Sequence, residues 1–379
     1  MIKIGITGQA GFIGTHLYNS FSLEPDLFEL IPFEDSFFES ETKLKDFVVG
    51  CDVIVHLAAL NRHAEPNVLY RTNIALVQKL IDALENTDSK PYVLISSSLQ
   101  EKQDNIYGRS KREGRELLNQ WSQRNGAPFT GLIIPNVFGP FGVPFYNSVI
   151  STFSHQLTTG LEPKIEVDNK LNLIYVGELV KIVRDLVLQF AGSEKAPASV
   201  PKLLNVPHQA EYKVTELLSK LCHFKDIYLG QGVFPNLSNR FDLDLFNTFR
   251  SYLPGDQFPR AYTRNRDQRG DYVEIARSIS TGQSAFSTTK PGITRGNHFH
   301  TRKVERFAVI KGRASIKLRR YGESEVTEYI LDGEKPAYVD MPIWYTHNIT
   351  NIGDSELFTI FWINEFYDPN NPDTYFEEV

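Results

Sequence analysis

The chain has 379 residues, more than one ordinary domain needs, so two domains with separate cores are expected. Its 40 Lys and Arg against 46 Asp and Glu leave a net charge of −6, with no basic run long enough to follow a phosphate backbone; nucleic acid is not an expected partner. Cys51 and Cys222 are too few for a disulfide framework or a thiolate metal site and suit a reducing cytoplasm. No apolar stretch reaches the roughly 18 to 20 residues that span a bilayer, and residues 1–8 run straight into a glycine turn without the apolar core of a signal peptide. The expectation is a soluble cytoplasmic protein.

From residue 2 to about 132, short apolar, β-branched runs (3–7, 53–57, 92–96, 130–134) alternate with helix-like stretches such as 73–86 and 111–124. That rhythm predicts a Rossmann-type doubly wound parallel sheet in an α/β domain. Residues 145–250 are mixed, with helical spacing at 176–190 and 213–224. Proline, glycine and polar residues then interrupt the pattern at 251–267 (Leu253-Pro254-Gly255-Asp256, Phe258-Pro259). The expected division is therefore 1–252 and 253–379. Beyond it, short strands such as 313–321 and 326–331 lie between Gly, Asp and Pro turns and predict an all-β sandwich or small barrel.

The run at 3–7 ends in Gly8, Gly11 and Gly14, where a helix must begin. Glycine there permits a tight turn and a close approach to a pyrophosphate, and the helix N-terminus at Phe12 and Ile13 offers N–H groups to the anion. Ala58, at the end of the 53–57 run, completes the expected cofactor contacts. Tyr107 and Lys111 are spaced i, i+4 and share one helix face. A lysine ammonium there stabilises tyrosinate, so Tyr107 can protonate a carbonyl oxygen while hydride arrives, and Tyr107 and Lys111 can both touch the cofactor. Ser98, with Ser97 second, is the expected hydroxyl partner of the reacting oxygen.

Together with His56-Leu57-Ala58-Ala59 and the segment 135–140, these residues resemble the extended short-chain dehydrogenase/reductases of nucleotide-sugar epimerase/dehydratase type. The resemblance covers about the first 250 residues and implies a Rossmann fold, NAD or NADP, and a sugar nucleotide. Dehydratases of that type carry Asp-Glu after the catalytic hydroxyl; this chain has Leu99-Gln100, so dehydration is not expected. Glu34, about 20 residues after Gly14, either binds the ribose hydroxyls of NAD or belongs to a polar loop. NADPH and NADH both stay open.

His298 and His300 alternate on a predicted strand, Glu305 follows a short connection, and His347 comes after Pro342. The set resembles the two motifs of the cupin family and predicts a metal site, with Zn, Mn, Fe and Ni all compatible. Asp267-Gln268-Arg269-Gly270 with Glu274, and 292–298, also resemble nucleotide-sugar 3,5-epimerases, in which the histidine at the place of His298 is a base. Bound to metal, His298 cannot serve as that base, and Lys290, Arg295 and Tyr345 are further participants to weigh.

The whole chain resembles the bifunctional enzymes of capsular polysaccharide synthesis, in which a reductase is fused to a zinc cupin. That resemblance implies a homodimer that epimerises C3 of a UDP-4-keto-6-deoxy-N-acetylhexosamine. NADPH-dependent C4 reduction then gives UDP-2-acetamido-2,6-dideoxy-L-talose, on the route to N-acetyl-L-fucosamine. Ile133 or Ile134 stands where the pattern has an Arg, and Gly177-Glu178 where it has an acidic pair. Two alternatives remain: a nucleotide-sugar 4-epimerase or dehydrogenase whose cupin only binds or dimerises, and a metallo-oxygenase fused to a dehydrogenase.

Overall fold

The computed structural model describes residues 1–193, 197–268 and 270–379. Packing divides the chain into two compact units: Met1–Val137 with Leu171–Glu211, and Phe138–Lys170 with Tyr212–Val379.

In the first unit, strands β1 (Ile2–Thr7), β2 (Phe28–Ile31), β3 (Val53–His56), β4 (Tyr92–Ser98) and β5 (Phe129–Ile134) join Leu203–Asn205 in one parallel sheet. Its order is β2-β1-β3-β4-β5 and then Leu203–Asn205. The strands are apolar along their length because helices cover both faces. Ile4, Ile6, Val55 and Leu94 meet Leu17 of α1 (Phe12–Ser22) and Val183 of the helix Val176–Gly192. The alternate residues Ile54, Val93 and Ile95 face Phe47 of α2 (Glu41–Val49), Leu80 of α3 (Pro66–Asn86) and Trp121 of α4 (Ile106–Asn125).

This is the doubly wound sheet expected, with longer helices than the apolar spacing suggested. α3 starts at Pro66, whose ring suits a first helical turn. Asn105 caps α4, accepting from the Gly108 amide at 2.7 Å, so Tyr107 falls in that helix's first turn. Strand order changes direction between β1 and β3, and the crevice at their C-terminal ends is where such sheets bind ligands.

The second unit holds the helices Val149–Thr158, Val214–Phe224 and Arg240–Arg250 and, among the described residues, two 5-stranded antiparallel sheets. One runs Arg260–Ala261, Ala337–Met341, Glu305–Lys311, Leu357–Ile363, Gln283–Thr289; the other Val326–Asp332, Arg313–Arg320, Tyr345–Asn351, Thr294–Phe299, Tyr375–Phe376. Val309, Val339 and Leu357 of the first pack against Ala314, Ile316 and Ile349 of the second, the two-layer all-β arrangement expected after residue 252. Arg269, part of one quoted motif, lies outside the described residues.

The break in composition at 251–267 falls inside this unit, and side chains cross it. Arg306, 2 % exposed, lies between the rings of Phe234 and Tyr338, 4.4 and 3.7 Å from their centroids. Both Asp340 oxygens accept from it, at 2.7 and 2.9 Å, and Tyr228 donates to Asp340 at 2.6 Å. Burial works against the guanidinium charge and Asp340 outweighs it, raising its pKa. Arg250 donates to the Met341 carbonyl at 2.9 Å and Asn247 to that of Arg302 at 2.9 Å.

Candidate active site and metal centre

β1 ends at Thr7, and Gly8 then takes a left-handed φ of 71°. A Cβ on Gly8 would lie 2.9 Å from the Ala58 amide nitrogen, and one on Gly14 only 2.3 Å from the Gly8 carbonyl oxygen. The Gly11 amide donates to Gly8 O at 3.0 Å, and α1 opens at Phe12 and Ile13 without a side-chain cap. A tight, side-chain-free turn running into open helix N–H groups could hold a dinucleotide pyrophosphate. Thr7 ties this turn to β3: its hydroxyl bonds His56 Nδ1 at 2.8 Å and accepts from Ala58 N at 3.3 Å. Burial, then the Lys111 charge, pushes the His56 pKa down to about 3, so that ring is neutral.

The turn after β3 is fixed by a residue the sequence reading did not single out. Asn73 of α3 accepts from Leu60 N at 2.7 Å and donates to Leu60 O at 3.0 Å and to Ser110 Oγ at 3.1 Å. Ser110 donates to the Tyr107 carbonyl at 2.8 Å. The Tyr107 hydroxyl donates to Asn61 Oδ1 at 3.2 Å, and Lys111 Nζ donates to Ser96 Oγ at 3.4 Å. Burial lowers the Lys111 pKa to about 8, opposed by Glu101.

The two serines left open have different surroundings. Ser97 is buried and donates to Glu101, whose carboxylate is forked by Arg115 Nε and Nη2 at 2.9 Å each. Ser98 is half-buried, and its hydroxyl oxygen accepts from Gln100 N at 3.2 Å. Glu34, three residues past β2, is exposed and accepts from the Ser36 hydroxyl at 3.1 Å.

In the second unit, His298 lies near the end of Thr294–Phe299, directly opposite His347 on Tyr345–Asn351, after a bulge between Gly296 and His298. His300 follows the strand end instead of sitting on it, and Glu305 opens the strand Glu305–Lys311. One ligand atom from each of His298, His300, Glu305 and His347 lies within 4.8 Å of the others. Glu305 Oε2 is 3.1 Å from His300 Nε2 and 3.5 Å from His347 Nε2. All three atoms are buried without a hydrogen-bond partner.

Orphaned buried acceptors converging on one point fit a cation, and three imidazoles with one carboxylate form a donor set that suits Zn, Mn, Fe and Ni alike. Burial, then His347 and His300, pushes the His298 pKa down to about 4. Burial opposes ionisation of Glu305, but the adjacent histidines win and hold its pKa well below the usual carboxylate range. Arg295 is held by Thr289 Oγ1 at 3.0 Å and Thr288 O at 2.9 Å, and a guanidinium does not deprotonate to act as a base. Lys290 is exposed. Tyr345, two residues before His347, shares its strand face, and burial raises its hydroxyl pKa.

Residues 4–197 match the NAD dependent epimerase/dehydratase family, and residues 265–375 the polysaccharide biosynthesis C-terminal domain. A UDP-2-acetamido-2,6-beta-L-arabino-hexul-4-ose reductase of Pseudomonas aeruginosa is 32 % identical over 377 residues, 99 % of this chain and 98 % of its own. The crystal structure of the capsular polysaccharide assembling protein CapF of Staphylococcus aureus is 34 % identical, covers 100 % of both chains and superposes with a TM-score of 0.62. RMD of Pseudomonas aeruginosa, solved with NADPH, shares the fold at 20 % identity and a TM-score of 0.51 over 60 % of this chain and 83 % of its own. The chain belongs to the NAD dependent epimerase/dehydratase family, and with its C-terminal polysaccharide biosynthesis domain it is similar to CapF from end to end.

Proposed function

We propose that this chain is a nucleotide-sugar 4-ketoreductase of surface polysaccharide synthesis that also epimerises its substrate at C3. The observation that carries it is the pair Tyr107 and Lys111 on α4 beside the β4 serines, in a chain matched end to end by a UDP-sugar ketoreductase. The substrate in this reading is a UDP-4-keto-6-deoxy-N-acetylhexosamine, and the product UDP-2-acetamido-2,6-dideoxy-L-talose. The working protein is a homodimer in the cytoplasm, where nucleotide sugars are available, with catalysis divided between residues 1–252 and 253–379.

Gly8, Gly11, Phe12, Ile13, Gly14 and Ala58 would hold a nicotinamide dinucleotide, read as NADPH with NADH as the alternative, which when bound supplies hydride for C4. Ser98 orients the C4 oxygen by hydrogen bonding. Tyr107 gives its hydroxyl proton to that oxygen, and the Lys111 ammonium favours the tyrosinate left behind until solvent reprotonates it.

His298, His300, Glu305 and His347 would hold a divalent metal, read as zinc, which supplies positive charge beside a sugar ketone and acidifies the neighbouring C3–H. The chain's part is to bring the four ligand atoms together and to keep Glu305 ionised. Inversion follows when the C3 proton leaves and returns from the opposite face.

The test is to incubate the enzyme with the 4-keto sugar nucleotide in deuterated water without reduced cofactor, follow C3–H by NMR, then add NADPH or NADH separately. Exchange that disappears in His298→Ala and His347→Ala, followed by oxidation of one added cofactor, supports both steps. Reduction without any exchange would leave a simple reductase, with the C-terminal domain in a binding role.

A further inference from the structure

The segment after Ile363 ends on a short strand, Tyr375–Phe376, that pairs with His298 and Phe299. Its residues touch the neighbours of three metal-ligand candidates. Glu377 N donates to Asn297 O at 3.0 Å, beside His298, and Glu377 O accepts from Thr346 Oγ1 at 2.7 Å, beside His347. The densest contact is at Asp373, 3 % exposed and left-handed at φ 42°.

One oxygen of the Asp373 carboxylate accepts from Thr301 N at 3.0 Å and Thr301 Oγ1 at 2.6 Å; the other accepts from Arg302 N at 3.0 Å and Lys303 N at 3.1 Å. Lys303 Nζ donates to Pro372 O at 2.5 Å. The Asp373 main-chain oxygen accepts from His300 Nδ1. Residues 301–304 are the connection between His300 and Glu305, so a single residue fills three successive amides of that connection and also meets the imidazole at its start. With Nδ1 as the donor to Asp373, His300 carries its lone pair on Nε2, the atom that faces Glu305.

We infer that Asp373 is a positioning residue for the metal centre: it fixes the connection that spaces His300 from Glu305 and sets the tautomer in which His300 binds metal. This rests on the metal reading given under the proposed function.

The test uses full-length protein stripped of metal, with Zn²⁺ affinity measured by competition against a chromophoric chelator and site geometry read from the visible spectrum of the Co²⁺ form. Asp373→Asn keeps the shape but turns an NH₂ toward amides that need an acceptor. We expect roughly tenfold to a hundredfold weaker Zn²⁺ binding and a changed Co²⁺ spectrum, with the circular dichroism of a folded protein. Thr301→Val removes one of the donors and should give a smaller loss in the same direction. A folded Asp373→Asn variant with unchanged affinity and spectrum, even at a lower melting temperature, overturns the inference. Should Asp373→Asn not fold, unchanged affinity in Thr301→Val overturns it. Wild-type protein that takes up no Zn²⁺ or Co²⁺ overturns the metal reading itself, a distinct result.

Discussion

Lys111 is held in a place that opposes its charge, and Glu101, itself forked by Arg115, is the group that restores part of it. A lysine is cationic below its pKa, so the ammonium beside Tyr107 is lost as pH rises through about 8. In the proposed mechanism that loss sets an alkaline limb belonging to the Tyr107 and Lys111 pair together. Glu101→Gln removes a charge that favours the ammonium, so the alkaline limb of kcat/KM for ketone reduction should move to lower pH. A limb that stays in place in that variant would mean Glu101 does not act on Lys111. Tyr107 and Lys111 were legible in the sequence because their relation is four residues long, and so were His298, His300 and Glu305. Asn73 and Glu101 were not: Asn73 holds Leu60, 13 residues away, and Glu101 pairs with Arg115, 14 residues away, and a polar residue in a helical run looks the same whether it faces solvent or clamps a loop.

At the level of elements, the strand Glu305–Lys311 serves two neighbours through its alternation: Glu305 faces the histidines and Arg306 faces the opposite side, between Phe234 and Tyr338. Removing one partner of a buried ion pair strands the other, so Asp340→Ala should cost roughly 3–5 kcal/mol in chemical denaturation. Replacing both partners together, Arg306→Met with Asp340→Leu, should restore most of that loss. If the single and double variants are equally unstable, the aromatic sandwich around Arg306 matters more than its charge. Helix and strand positions were readable from periodicity, and the starts were missed where a proline or a capping asparagine, not an apolar residue, sets the boundary, as at Pro66 and Asn105. The pairing of Arg306 with Asp340 carries no local mark, since it joins strands 34 residues apart.

Over the whole chain, two fold classes and a change near residue 252 were visible in composition, because alternation of period two replaces helical spacing there. Composition cannot reveal that Phe138–Lys170 and Tyr212–Arg250 pack in one unit with the β sheets. The consequence is testable: a chain ending near Asp256 leaves Tyr228, Phe234 and Arg250 without Asp340, Trp362 and Met341. Such a fragment is expected to be insoluble or to lose its cooperative melting transition, whereas a soluble fragment with a sharp transition would show that the first 250 residues stand alone. The interleaved order also bears on synthesis at the ribosome. The first unit has all its residues once Glu211 is made, but the segment Phe138–Lys170 has emerged before that and must wait for the last of the chain. At ordinary elongation speeds that wait is roughly ten to forty seconds, and Val214–Phe224 and Arg240–Arg250, the helices that pack on Val149–Thr158, are made only after the first unit has all its residues. Nascent chains of this protein are therefore expected to depend on chaperone cover between the two folding events.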